Sequence, residues 1–427
     1  MIANDTQRKK KRLRNTIIVL APLVVTVLIF TGGYLYSTHA TQTERARIRV
    51  QLREDVLYDL DYLLWALEEN LPTMDIIRRK NGIDLLGLGQ ELRENLADPE
   101  VEVYFMYFWR MLGSDFIGPS GPVYPTGSLL RVDEGMRQWF RLEYGRHDLP
   151  LSARNVALFD RTPNFVVPIG AGAYFNPVQS IATNIIEEGR IAFYRINNFT
   201  ERLTPFENMQ TRQFLENITD YEHLIIDLRG NTGGALWFFD EILGRFLIDE
   251  VHTAYFHNFY MDGRHNIEFM DAMGDMRPQS APFNIDDVKG FIADEYLHII
   301  DDITQTQYHY VYRHTVTPAY PEALFSGRVW MLVDENMMGA AQMAAAFYKD
   351  IFTLVGETTG GGLSFCNMAG VSNFITLPRT GIIIRYDAVL SLDSNGRPIE
   401  YGTEPHFFNR PGMDALETVL AFIDEDL

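Results

Sequence analysis

Cysteine is nearly absent from this chain: Cys366 stands alone among 427 residues, so no internal disulfide can form. An oxidising compartment is tolerated but not exploited. Positive charge is also scarce, 37 Lys and Arg against 57 Asp and Glu, for a formal net charge of -20. Six of the basic residues crowd into 1–15 (Arg8, Lys9, Lys10, Lys11, Arg12, Arg14) against Asp5 alone, which leaves the remainder at about -25. A body so acidic excludes nucleic acid as its partner. Internal repeats and low-complexity tracts are absent as well, which argues against solenoids and disordered arrays. What remains is an ordinary folded composition, 46% hydrophobic and 13% aromatic, long enough for two or three domains.

Residues 16–36 (TIIVLAPLVVTVLIFTGGYLY) carry no charge. A helix of that length spans roughly 30 Å, the thickness of a bilayer's hydrocarbon core. The basic cluster at 1–15 predicts a cytoplasmic N-terminus, a single pass through the cell membrane and an extracytoplasmic bulk. The competing reading is a signal peptide cleaved after Ala40, although the apolar run exceeds a usual signal core.

Beyond the anchor, 41–118 reads as a helical subdomain. Leu57, Leu60, Leu63, Leu64 and Leu67 recur at spacings of three and four, Asn81-Gly82 marks a turn, and Glu100 to Leu112 reads as a buried aromatic helix. Residues 119–188 form a mixed connecting region. From 189 to 424, apolar strands alternate with helices: strands at Arg190–Asn197, His223–Leu228, Val329–Val333 and Thr353–Val355, and helices at Met209–Ile218, Ala235–Leu247 and Ala340–Tyr348. That alternation predicts an α/β core with a mixed, largely parallel sheet. Asn373–Leu377 and Ile382–Tyr386 read as further strands, followed by a turn at Ser394-Asn395-Gly396.

The stretch Asp227-Leu228-Arg229-Gly230-Asn231-Thr232-Gly233-Gly234 leaves a buried strand and opens a helix. Glycines there let the backbone aim N–H groups at a phosphate or an oxyanion. No Gly-Lys-Ser/Thr follows, so it is not a P-loop, and the dinucleotide glycine pattern is missing. Glycines serving only a tight strand–helix turn are the simpler explanation on spacing alone.

Taken with Leu354-Val355-Gly356-Glu357-Thr358-Thr359-Gly360-Gly361, Leu377-Pro378 and Glu400-Tyr401-Gly402-Thr403-Glu404-Pro405, this loop resembles the tail-specific (C-terminal processing) serine peptidase family. The likeness is to the branch without an obvious PDZ domain, akin to the tricorn core and retinoid-binding-protein modules. Asp61 to Asn70 and Asp414-Ala415-Leu416 extend it to both ends of the exterior part. The resemblance implies a ClpP/crotonase-like core and a serine-type peptidase activity, with no cofactor and no metal. It also implies where the catalytic groups should stand. The nucleophile position in Asn336-Met337-Met338-Gly339-Ala340-Ala341-Gln342 holds Gly339, with Gln342 for the usual glutamate. The histidine position falls on Phe116, and the lysine of the other branch is replaced by Gly361 and Gly362. Glu400 remains as the acid, His406 stands where another acid would, and Gly230, Gly233, Gly234 and Ala340 match the oxyanion and peptide-binding positions.

Glycine cannot attack and phenylalanine cannot accept a proton. The expectation is therefore an inactive or severely impaired relative that binds extended peptides or protein C-termini. The alternatives are an active peptidase with its nucleophile relocated to Ser364 or Cys366, and an interaction protein with a closed cleft. His252 with His257, and His309 with His314, are five apart and fall on opposite faces of a strand, poor metal-ligand pairs. Asp393 to Gly396 reads as a β-turn rather than a calcium loop, and Asp286-Asp287 and Asp301-Asp302 as solvated faces.

Overall fold

The computed structural model describes residues 42–101, 112, 129–131, 180–199, 205–234, 236–272, 279–361 and 373–426. The apolar run at 16–36, most of the aromatic stretch before Leu112, and Phe116, Ser364 and Cys366 lie outside them. No helix among the described residues is long and apolar enough to cross a membrane.

In chain order the elements are α1 Gln42–Asn70, α2 Met74–Asn81, α3 Leu85–Ala97, β1 Leu129–Arg131, β2 Ile181–Glu187, β3 Ile191–Ile196, α4 Pro205–Asn217, β4 His223–Asp227, α5 Leu236–Ile242, β5 His252–Tyr260 and α6 Arg264–Ala272. There follow β6 Ala281–Pro282, α7 Ile285–Lys289, α8 Ile300–Thr304, β7 Tyr308–Val316, β8 Arg328–Val333, α9 Ala340–Tyr348, β9 Thr353–Gly356, β10 Asn373–Thr376, β11 Ile383–Tyr386, β12 Val389–Leu392, β13 Phe407–Phe408 and α10 Ala415–Asp424.

The central sheet has six strands in the order β13-β9-β8-β4-β3-β2, all parallel except the antiparallel β2–β3 pair. Both of its faces are covered, which is why β4 and β8 read as continuous apolar runs. Successive side chains alternate between the two covers. Leu224, Ile226, Met331 and Val333 pack with Phe238, Phe239, Ala344 and Phe347 of α5 and α9. Ile225, Trp330 and Leu332 pack with Val419, Phe422 and Ile423 of α10. The helix expected over Ala235–Leu247 is shorter, ending at Ile242, with a separate 3-10 turn at Gly244–Phe246.

The N-terminal helical region packs on a second, three-stranded sheet, β1-β11-β10. Leu60, Leu63, Leu64 and Leu67 of α1 are buried with Leu92 and Leu96 of α3 and with Ile375 and Ile384. Asp59, buried on α1, accepts the backbone N–H groups of Arg379 and Thr380 at 2.8 and 2.6 Å. A third sheet, β12-β5-β7-β6, is antiparallel, with β5 and β7 paired along nine residues.

Candidate functional site

Four loops leave the carboxyl ends of the parallel strands β3, β4, β8 and β9, and they are stitched together by backbone contacts. Phe199 donates its N–H to the Gly233 carbonyl at 3.0 Å, and Met338 donates to Asn231 at 3.3 Å. Gly360 donates to Met337 at 2.7 Å, and Met338 bridges Gly361 in parallel register. In open α/β sheets this edge is where ligands bind.

Gly339 caps α9 with φ 60° and ψ −135°, a backbone state that glycine enters freely. Gly233, at φ 93°, lies against it: a Cβ there would stand 2.6 Å from the Ala340 nitrogen and 3.0 Å from the Met338 oxygen. The structure thus brings Gly233, Gly339 and Ala340 into one contact. Gly234 is pressed onto Phe199, where a Cβ would meet its carbonyl oxygen at 1.7 Å. The amides of the glycine loop are less available than their sequence suggests. The Gly230 N–H goes to Asp334 Oδ1 at 2.9 Å, and the Gly233 N–H goes to Asn231 Oδ1 at 2.8 Å.

Asp227, fully buried at the end of β4, anchors the loop electrostatically. It accepts from Arg195 Nη1 at 2.8 Å and from Arg229 Nε and Nη2, both at 2.9 Å. Arg229 continues to Asp414 at 3.0 Å, the residue that caps α10.

Glu400 sits in the 399–401 turn, 2% exposed, and neither carboxylate oxygen has a hydrogen-bond partner. Burial pushes its pKa up to about 8, with the Asp387 charge adding to the rise. The amides of Glu400 and Ser391 and the Lys80 charge favour the anion, without hydrogen-bond geometry at the carboxylate. Lys80, on the last turn of α2, donates to the carbonyls of Gly360 at 2.6 Å and Glu400 at 2.5 Å. The residue is exposed, but its ammonium tip is tucked between these carbonyls, and desolvation pulls its pKa down. Gln342, buried in the first turn of α9, reaches Thr403 Oγ1 at 3.2 Å and leaves its own oxygen unpartnered. His406 Nδ1 accepts the Leu354 N–H at 3.0 Å and is therefore a structural acceptor.

Lys80, Asp334 and Asn231 are the participants that sequence reasoning missed as site groups. Lys80 reads in sequence as one of three cations in the last turn of α2, a placement the helix dipole alone explains. One expectation is overturned: Asp302 is not on a solvated face but fully buried, held by both terminal guanidinium nitrogens of Arg79, because α8 packs against α2. Asp286, Asp287 and Asp301 are exposed as expected. The β-turn at Asp393 is present, with its carboxylate accepting from the Asn395 and Arg397 amides. The histidines pair across strands rather than along them: His257 Nδ1 lies 3.1 Å from His309 Nε2. His314 Nε2 lies 3.0 Å from Asp240. Among the described residues no group of three or more His, Cys, Asp or Glu is placed to hold a metal ion.

The model of peptidase family S41 matches residues 190–408, just over half of the chain. This chain belongs to peptidase family S41. The match runs from β3 through β13 and so contains every loop of the site described above. Solved structures show distant likeness. Mature CPAF is 16% identical, with 84% of this chain and 93% of that one covered, at a TM-score of 0.47. A lipoprotein from Streptococcus agalactiae is 12% identical, with 88% and 97% covered, at 0.40. The photosystem II D1 C-terminal processing protease is 13% identical over 54% and 48%, at 0.31. A search of curated proteins finds none that matches this chain.

Proposed function

We propose that this S41 member is tethered to the cell membrane, faces outward, and binds extended peptide segments without hydrolysing them. The observation that carries the reading is Gly339. It opens α9 beside Gly233, where a nucleophile would stand, and offers no side chain. No Ser, Thr or Cys occurs from 334 to 349, so no neighbouring residue of α9 can replace it. Losing the serine of a comparable hydrolase triad lowers turnover on the order of 10⁶-fold. The Ala340 end of α9, the four converging loops and the strand ends support retained binding of a peptide backbone.

The test is hydrolysis and binding of an unstructured polypeptide by the purified exterior part, beside a catalytically intact relative. Saturable binding with turnover at background is the expected result. Turnover abolished by Ser364→Ala or Cys366→Ala would establish a relocated nucleophile instead. Tethering is checked separately: the full chain should sediment with membranes and resist carbonate extraction, and a soluble product beginning after Ala40 would show a cleaved signal.

A further inference from the structure

Among the described residues the Lys80 ammonium, beside the site, has no ion-pair partner. No carboxylate among the described residues lies within ion-pair distance of it, whereas the arginines of the same edge, Arg195 and Arg229, are both committed to Asp227. Its two hydrogen bonds go to main-chain carbonyls, Gly360 and Glu400, and both partners are neutral dipoles. It stands over Gly361, whose Cβ would fall 2.8 Å from Nζ, and Gly361 bridges Met338, the neighbour of Gly339. Among the described residues the third ammonium N–H has no acceptor, and it lies a step away from Gly339.

We propose that Lys80 receives a carboxylate of the bound peptide, a reading that rests on the peptide-binding function proposed above. A carboxylate matches the requirement because it supplies the missing charge and accepts a charge-assisted hydrogen bond. Glu400 does not supply that charge at neutral pH, since burial holds its carboxyl protonated up to about pH 8. Exposed Glu335 and Glu357 and half-buried Asp334 line the adjacent loops. They disfavour further negative charge, so the ligand carries one carboxylate with no acid beside it. The charged groups that face Glu400 are Asp387, itself paired with Arg385 at 3.2 Å, and Lys80. As pH rises through about 8, Glu400 ionises, its charge offsets that of Lys80 through space and the preference weakens.

Fluorescence anisotropy with three labelled apolar peptides of one sequence separates the sources of the carboxylate: a free C-terminus, a C-terminal amide, and an amide with one internal Glu. The full chain in detergent should bind at least one carboxylate-bearing peptide tenfold or more tighter than the plain amide at pH 7. Tightest binding of the free acid identifies a C-terminus, and of the Glu peptide a side chain. Lys80→Met should erase the difference while leaving weak binding of all three. Glu400→Gln should hold the preference constant from pH 7 to 8, where that of the unaltered chain begins to fall, and this arm decides if Lys80→Met fails to fold. Equal binding of acid and amide, or a preference that survives Lys80→Met, overturns the assignment to Lys80 but leaves peptide binding standing. Binding of none of the peptides removes both readings.

Discussion

At the scale of single residues, Glu400 couples folding to pH in an uncommon direction. Its carboxyl titrates near 8 when folded and near the ordinary 4.5 when unfolded. Below about 4.5 both states are protonated. Between 4.5 and 8 the unfolded chain releases a proton that the folded one keeps, so stability falls as pH rises through that window. Glu400→Gln removes this slope, and thermal melts of the two proteins should diverge by a few kcal/mol from pH 5 to 8, with the variant more stable. His309 acts in the opposite sense. Burial beside His257 pulls its pKa down to about 4, so its contribution is fully present above 6.5 and is lost as pH falls from 6.5 to 4. His309→Phe, which suits its ring neighbours Phe259 and Phe283, should flatten the acid limb of the melting profile.

Between elements, the site depends on close backbone approach and on one buried ion cluster. Gly233→Ala forces a Cβ to 2.6 Å from the α9 backbone at a positive φ, and should cost about 1–3 kcal/mol, read as a lowered denaturation midpoint. Asp227→Asn would leave Arg195 and Arg229 without their buried anion and should cost about 3–5 kcal/mol. If the variant melts like the parent protein, the cluster is not structural. The parallel strands β3, β4, β8 and β9 were legible in the sequence, with α4, α5 and α9 between them, because both faces of the sheet are covered, which writes β4 and β8 as unbroken apolar runs. The antiparallel β5–β7 pair was not assigned. Its strands mix His, Tyr, Thr and Asn, and the His257–His309 contact joins residues 52 apart, which local spacing cannot express. For the same reason Gly233 and Gly339 could be matched by motif. Lys80, which meets Glu400 across 320 residues, could not.

At the scale of the whole molecule, the helical region and the α/β core share a buried polar junction. Asn266 donates to the Asn70 and Met261 carbonyls at 2.9 and 3.0 Å, and accepts from Tyr386 and Asn373 at 2.8 and 3.0 Å. Asn266→Ala strands several of these groups and should destabilise by about 2 kcal/mol or more. Hydrogen exchange should then rise together in α1 and β10. Exchange confined to α6 would show that the two parts fold independently.

The grip of Lys80 on the Glu400 carbonyl also sets an order of events during synthesis. The α2 helix leaves the ribosome long before the turn it must hold. At about 5–20 residues per second, a separation of 320 residues means a wait of roughly 15–65 s. Until then the ammonium has no Glu400 carbonyl to hold, and the loops beside Gly339 lack one wall. A nascent chain, or one truncated before Glu400, therefore lacks this wall of the site, and the peptide binding proposed above awaits synthesis of that turn.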